Sequence, residues 1–347
     1  MMRERETTVS EWIVEEQRRS PGATGMFSSL LIGLRIACKR TAWLIGEGNT
    51  GAVPQVSLEV AANDIFMRTL DRGGSLAGIA SRDGDSPLAV STAQPIGRYL
   101  VVCTPIDGAS NVDVNVSAGS IFSVLRAPDH VAAPTATDFL QPGTKQVAAG
   151  YAIYGPTTML VLTVGRGVCG FTLNRGFGEF ILTHPNLTIP ETTREFAVNT
   201  SNARFWESPV QRYVDECVQG KDGPRGEDFN MRWIASFVAE VHRILVRGGL
   251  FMYPADMREG AGEGRNLLVF EANPLAMLVE QAGGAASTGR GRILEVVPND
   301  LRQRVPVVLG SREEVERVER YHQEKDQGLD REFTSPLFNQ RSLFPIR

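Results

Sequence analysis

Hydrophobic and polar positions alternate most tellingly between residues 98 and 126. Leu100, Val101, Val102 and Cys103 form a short continuous apolar run, the pattern of a strand covered on both faces. The Thr104-Pro105-Ile106-Asp107-Gly108 stretch that follows predicts a break at the strand's carboxyl end, and a second strand returns through Ser120-Ile121-Phe122-Ser123-Val124. Upstream, the pattern predicts a helix over 9–20 and a turn over 21–25. A longer helix then runs from Met26, with Leu30, Leu31, Leu34, Ile36, Ala37, Ala42 and Leu44 on a broad apolar face, to a loop over 46–51. A further helix spans 58–70, followed by a brief strand over 79–81.

Downstream, apolar runs over 147–154, 158–164, 168–173 and 180–182, separated by Gly and Pro, predict a meandering sheet. A linker over 183–193 leads to Phe196-Ala197-Val198-Asn199, a polar helix over 209–218 and a Gly-rich loop over 220–226. The next helix spans 231–246 and closes at Gly248-Gly249, a left-handed cap. Strands over 250–253 and 267–270 follow, the second closed by Glu271, and Asn273-Pro274 opens a helix with Asn as cap. Strands over 293–296 and 307–309 and a charged helix over 312–323 complete the pattern. Helices and strands alternating around one meander predict an α/β protein of two packed units, 8–195 and 196–325, with a surface arm over 326–347.

Composition adds exclusions. With 347 residues, 42% hydrophobic and 22% charged, the chain has the make-up of a globular protein with a large core. Net charge is −4 and the basic residues are scattered, so no footprint for nucleic acid or an anionic membrane surface appears. Neither a membrane-length apolar run nor a signal-peptide core is present. Cys38, Cys103, Cys169 and Cys217 lack metal-ligand spacing and mostly sit in apolar contexts, which predicts reduced core thiols in a cytoplasmic protein.

Candidate chemistry centres on the break after Cys103. The small side chains of Gly108, Ala109 and Ser110 let consecutive backbone N–H groups close around an anion, with Asp107 facing the same space. That arrangement suits a phosphate beside a cation. Glu59 and Asp64, five apart on one helix, read on their own as surface carboxylates. Thr24 and Gly25 precede a helix whose free N–H groups also suit an anion.

The 104–113 stretch resembles the signature of the fructose-1,6-bisphosphatase family, usually Asp-Pro-x-Asp-Gly-Ser-Ser-Asn-x-Asp. The resemblance runs from about Thr8 to about His322 and includes Gln141-Pro142-Gly143, Ala148-Ala149-Gly150-Tyr151, Gly178-Glu179-Phe180-Ile181-Leu182, Val241-His242-Arg243 and Gly248-Gly249-Leu250-Phe251-Met252-Tyr253-Pro254. It implies a layered α/β/α/β/α sandwich, a homotetramer with sites near subunit interfaces, and metal-assisted hydrolysis of a sugar phosphate. Glu59, Asp107 and Glu271, with the Ile106 carbonyl, match metal ligands. Asp64 and Asp83 match an acidic pair on the attacking water. Asn199, Tyr253 and Arg265 match residues on the distal phosphate, and Arg232 matches an arginine that crosses from a neighbouring subunit. Trp233 stands for a Tyr of the sugar pocket, and Asn202 sits where another Tyr is common. An AMP-type effector site is implied near Thr24, Gly25, Arg98 and Tyr99, although Met26 replaces the family's acidic residue.

Two departures touch the reaction centre. Thr104 replaces the first Asp of the signature, and Arg82-Asp83 replaces the usual Glu-Glu whose first member bridges metal ions. Two negative charges are lost and one positive gained, a change of +3. At an effective dielectric near 20, a unit pair about 4 Å apart is worth roughly 4 kcal/mol, and a dication doubles it. The expected Mg²⁺ site is therefore weak or absent. Arg82 either turns to solvent or supplies the cation itself. The expectation is an enzyme acting on a phosphorylated ketose, fructose 1,6-bisphosphate or an analogue, through a rebuilt, metal-poor centre. Metal-independent elimination, isomerisation or cyclisation of a sugar phosphate stays open as an alternative, as does a non-catalytic sugar-phosphate-binding regulator.

Overall fold

Most apolar positions of the leading helices meet one broad sheet, while Val14, Trp43 and Val60 stay exposed. The computed structural model describes residues 6–19, 25–47, 57–71, 73–84, 87–89, 97–129, 134–258 and 263–329. Helices α1 (Val9–Arg19), α2 (Gly25–Glu47) and α3 (Leu58–Asp71) bury Val9, Trp12, Ile13, Leu30, Leu34, Phe66 and Leu70 against that sheet. Its strands are β1 (Leu76–Ser81), β2 (Leu88–Ala89), β3 (Tyr99–Asp107), β4 (Ala118–Arg126), β5 (Ala148–Tyr154), β6 (Thr158–Thr163), β7 (Cys169–Asn174) and β8 (Glu179–His184). They lie in the order β2-β1-β3-β4-β5-β6-β7-β8. β1 and β3 are parallel, and the other neighbours are antiparallel, so residues 118–184 form the expected meander. Between β3 and β4 lies the one-turn helix α4 (Ala109–Val112).

The second sheet contains β9 (Glu195–Val198), β10 (Asn230–Met231), β11 (Leu250–Tyr253), β13 (Ala285–Ser287) and β15 (Val307–Gly310), in the order β10-β9-β11-β15-β13. Alternation on these strands sends side chains to two different cores. Phe251, Val307 and Leu309 face helices α6 (Phe237–Arg247) and α7 (Asn273–Gln281), which lie between the two sheets. Leu250, Met252 and Val308 face α5 (Ser208–Gln219) and α8 (Arg312–Asp326) on the outside. β12 (Asn266–Leu267) and β14 (Arg304–Val305) form a separate two-stranded ribbon. The layers are helix, sheet, helix, sheet, helix, as the resemblance implied. Among the described residues, no helix is long and apolar enough to cross a membrane.

Several elements depart from the sequence pattern. Strand β3 does not stop at Cys103 but continues to Asp107, with a register shift between Thr104 and Asp107. The shift accommodates Pro105, which has no N–H for the ladder, and Ser120 Oγ donates to the Pro105 carbonyl at 2.5 Å. The helix expected over 231–246 begins only at Phe237, because Ser236 caps it by accepting from Ala239 N at 3.2 Å and Asn230–Met231 pairs with β9. The strand expected over 267–270 is a strand only at Leu267; Leu268–Ala272 is a π-helical turn running into α7. Asn273 is consequently the first helical residue and not its cap. Leu267, Leu268, Val269 and Phe270 are all buried, so apolarity alone could not distinguish strand from helix. Ile293–Glu295 is a 3₁₀ turn, and the strand nearby is Ala285–Ser287. The 21–24 turn, most of the 46–51 loop and residues 330–347 of the expected arm lie outside the described residues.

Candidate active site

The carboxyl ends of β1 and β3 meet the amino end of α6 and the π-helical turn, and this junction brings together Arg82, Asp83, Asp107 and Glu271. Gly119 makes the approach of α6 feasible: a Cβ there would lie 2.5 Å from Val238 Cγ1 and 2.7 Å from the Ala152 carbonyl. At that contact Asp107 Oδ2 accepts from Ser236 Oγ at 2.8 Å and from Val238 N at 3.0 Å. The carboxylate thus sits at a helix N-terminus and takes one of its free N–H groups. Gly108 follows with φ 73°, a left-handed conformation that turns the chain from β3 into α4 and leaves Gly108, Ala109 and Ser110 at the open side of the junction.

Arg82 turns into this junction. Its backbone N–H continues the β1–β3 pairing by donating to the Cys103 carbonyl at 2.9 Å. Its guanidinium donates from Nη2 to the Ile106 carbonyl at 2.6 Å, from Nη1 to Glu271 Oε1 at 3.4 Å and from Nε to Asp83 Oδ1 at 3.0 Å. Burial works against this charge, but Asp83, Glu271 and Asp107 outweigh it and hold the guanidinium above its ordinary pKa. Glu271 is itself pushed up by burial and by Asp107, while the Leu267 N–H, 3.0 Å from Oε2, and Arg82 act in the opposite direction. Thr104, fully buried, donates through Oγ1 to the Phe270 carbonyl at 3.3 Å and, being a hydroxyl, brings no charge.

The other expected residues make contacts of their own. Glu59 is half-buried on α3, and Asp64 is exposed, paired with Arg68 at 2.6 Å one turn on. Asn199 caps a 3₁₀ turn, accepting from Ser201 N at 3.2 Å and Ser201 Oγ at 2.6 Å. Asn202 is half-buried in the same turn. Trp233 stacks on Phe251, with centroids 5.9 Å apart, and lies 6.1 Å from Tyr253. Arg265 is exposed, its Cζ 6.0 Å from the Tyr253 ring centroid, and Arg232 is exposed with Nε 3.4 Å from Glu195. Tyr99 lines a separate cavity of about 320 Å³ with Glu16, Gln17, Phe27, Ser28 and Arg126. Arg98 is exposed beside Tyr99, Gly25 begins α2, and Thr24 lies outside the described residues.

Sequence reasoning missed Ser236, whose place as cap and Asp107 partner was hidden by starting the helix too early. A serine directly before the apolar Phe237-Val238 was the available signal. The four cysteines are free and buried, and burial pushes the Cys38 and Cys217 thiols up to about 12.

A divalent cation would need oxygens that this arrangement already engages. Two of the oxygen ligands it would need, the Ile106 carbonyl and Glu271, are engaged by a permanent cation. Among the described residues, no group of three or more His, Cys, Asp or Glu is gathered to hold a metal ion.

Two stacked sheets with a carboxylate cluster and a small-residue turn where strand ends meet a helix N-terminus define an α/β enzyme of the sugar-phosphatase type. The comparisons agree. The family described as "Fructose-1-6-bisphosphatase, N-terminal domain" matches residues 7–185, and "Fructose-1-6-bisphosphatase, C-terminal domain" matches residues 189–323. The chain therefore belongs to the fructose-1,6-bisphosphatase family, whose members are sugar-phosphate phosphatases and generally depend on divalent metals. It is 56% identical over 350 residues to "Fructose-1,6-bisphosphatase class 1" of Hydrogenophilus thermoluteolus, covering 97% of each chain. To the protein of that description from Halorhodospira halophila (strain DSM 244 / SL1) it is 55% identical, covering 92% of this chain and 98% of the relative. Among solved structures, Leishmania major fructose-1,6-bisphosphatase in the T-state superimposes with a TM-score of 0.84 at 37% identity, covering 91% of this chain and 98% of that one. The holo form of that enzyme gives 0.83 at 36% identity, covering 90% and 98%.

Proposed function

We propose that this chain acts as a phosphatase on fructose 1,6-bisphosphate or a closely similar phosphorylated ketose, with the Arg82 guanidinium standing where the family places a dication. The observation that carries this reading is the set of bonds from Arg82 to the Ile106 carbonyl, Glu271 and Asp83. Those bonds use three of the five guanidinium N–H donors, which leaves two for phosphate oxygens. The N–H groups of Gly108, Ala109 and Ser110 would complete the cradle, and Asn199, Tyr253 and Arg265 would hold the distal phosphate with Trp233 against the sugar. A guanidinium neutralises phosphate charge but does not lower the pKa of water as a metal ion does. The proton of the attacking water must then pass to a carboxylate, Asp83 or Asp64, and the sugar oxygen takes up a proton from solvent as its bond to phosphorus breaks.

The further expectations belong to this reading. A cytoplasmic homotetramer would bring Arg232, exposed in the single chain, into a neighbouring site. An AMP-type effector, expected near Thr24, Gly25, Arg98 and Tyr99, would use the cavity that Tyr99 lines, where the unpartnered Gln146 Oε1 and Glu16 Oε2 would accept from its amino or hydroxyl groups. Incubating the pure protein with fructose 1,6-bisphosphate in Mg²⁺ or in EDTA, and following both phosphate release and sugar products, tests the core of the proposal. Phosphate released in EDTA supports it. Release that strictly requires Mg²⁺ overturns the role given to Arg82; a new sugar phosphate without release identifies a different reaction, and binding alone identifies a regulator.

A further inference from the structure

The backbone carbonyls of the turn that carries Arg82 are held by one side chain from the other half of the molecule. Arg302 donates from Nη1 to the Arg82 carbonyl and from Nη2 to the Gly84 carbonyl at 2.6 Å. Its Cζ lies 5.8 Å from the ring centroid of Phe270, the residue beside Glu271. The N–H groups of this turn are already engaged by the first sheet: Arg82 N by the Cys103 carbonyl, Asp83 N by Ser81 Oγ and Gly84 N by the Ser81 carbonyl. Arg302 therefore supplies what the sheet does not, a donor fork that fits two carbonyls at once.

The segment bearing Arg302 is itself braced. Arg302 N donates to Asp300 Oδ1 at 2.6 Å, and Asn299 N donates to Gln303 Oε1 at 2.8 Å. The Gln303 carbonyl accepts from Leu268 N at 2.9 Å, at the start of the π-helical turn that presents Glu271. A single short segment thus fixes both sides of the Arg82–Glu271 pair, one through a side chain and the other through the backbone.

We propose that Arg302 is a positioning residue for Arg82: by clamping the Arg82–Gly84 turn it keeps the guanidinium against the Ile106 carbonyl and Glu271, without itself touching ligand. The inference rests on the reading that Arg82 receives a phosphate of the substrate. Its test is a double-mutant cycle on the full chain, with calorimetric binding of fructose 1,6-bisphosphate in EDTA as the measurement and thermal unfolding as the check on folding. Arg82→Gln, which keeps the site filled, should weaken binding at least about tenfold, the loss of a charge-assisted contact. Arg302→Ala should weaken it about fivefold, and the double variant should bind within about twofold of Arg82→Gln alone, since residues acting through one another are not additive. Arg302→Lys keeps the charge but cannot fork onto two carbonyls, so it should bind closer to Arg302→Ala than to the unaltered chain.

The outcomes separate the two claims. If Arg82→Gln weakens binding while Arg302→Ala does not, or if their effects multiply in the double variant, the positioning role is overturned and the phosphate anchor stands. Full recovery with Arg302→Lys would assign the effect to long-range charge and would overturn the clamp as well. If Arg82→Gln binds like the unaltered chain, the anchor itself falls, and the inference falls with it.

Discussion

Removing the Arg82 side chain leaves Glu271 and Asp107 facing a space of guanidinium size. The Arg82 side chain is 23% exposed and that of Glu271 is 12% exposed, so the pair is largely desolvated. Deleting one partner of a buried pair costs about 3–5 kcal/mol, and the partly open guanidinium places Arg82→Ala at the lower end, about 3 kcal/mol. The loss should depend on pH with a definite sign. Glu271 is already raised above its ordinary value of 4.5, through burial and Asp107, and Arg82 is one of the influences lowering it. A carboxyl whose folded pKa is raised binds its proton more tightly in the folded state. Its stabilising share is complete below the unfolded value and is lost as pH rises through the folded one. Without Arg82 the folded value moves further up, so the penalty should be larger at an alkaline pH and smaller at an acidic one, where Glu271 takes up a proton.

Magnesium should then act on the variant and not on the parent. Arg82→Ala frees the Ile106 carbonyl and the Glu271 carboxylate, hard oxygen ligands of the kind Mg²⁺ takes, beside Asp107. An ion present at about 100 times its dissociation constant adds about 2.7 kcal/mol, close to the loss it would repair. The assay is the thermal and urea midpoint of both proteins in EDTA and in rising Mg²⁺, at the two pH values. Equal stabilisation of parent and variant by Mg²⁺ would show that Arg82 does not exclude a cation. A loss that is the same at both pH values would show that Glu271 is not the group left uncompensated.

Arg265→Ala should cost about 1.5–3 kcal/mol of ketose-bisphosphate affinity by calorimetry, the range for hydrogen bonds to a charged group, and unchanged binding removes Arg265 from the pocket. Ala235 has φ 59°, a left-handed conformation costing about 1–2 kcal/mol; Ala235→Gly relieves it against a chain-entropy cost of about 0.4–1 kcal/mol, so the thermal midpoint should rise modestly. If Arg232 crosses a subunit interface, mixing Arg232→Ala chains with chains disabled at Asp64 should restore some activity, and its absence despite confirmed mixing counts against an action in trans. The double change Arg82→Glu with Thr104→Asp should create Mg²⁺ binding tighter than either single change does, because only the double change restores all three units of negative charge.

What the sequence disclosed, and what it withheld, follows from how far each interaction reaches along the chain. The meander of β4 to β8 was legible because each strand pairs with its neighbour across a short turn, so alternation and punctuation carry the whole signal. The π-helical turn was not legible: four consecutive apolar residues buried from every side satisfy a strand and a helix equally. What selects the helix includes the bond from Leu267 N back to Glu271 Oε2, four residues on. The late start of α6 has a similar origin, since Ser236 earns its place as cap partly through Asp107, 129 positions away. Arg82 shows the boundary most clearly. Its substitution into an acidic position was visible at once, but its direction was decided by the Ile106 carbonyl and Glu271, one 24 and the other 189 positions distant. Residues like Arg302, 218 and 220 positions from the carbonyls they hold, leave no local pattern at all, because an exposed arginine after a polar turn reads the same whether it is free or clamped. Whether one guanidinium stays locked over the Ile106 and Glu271 oxygens is a matter of geometry that composition alone does not encode.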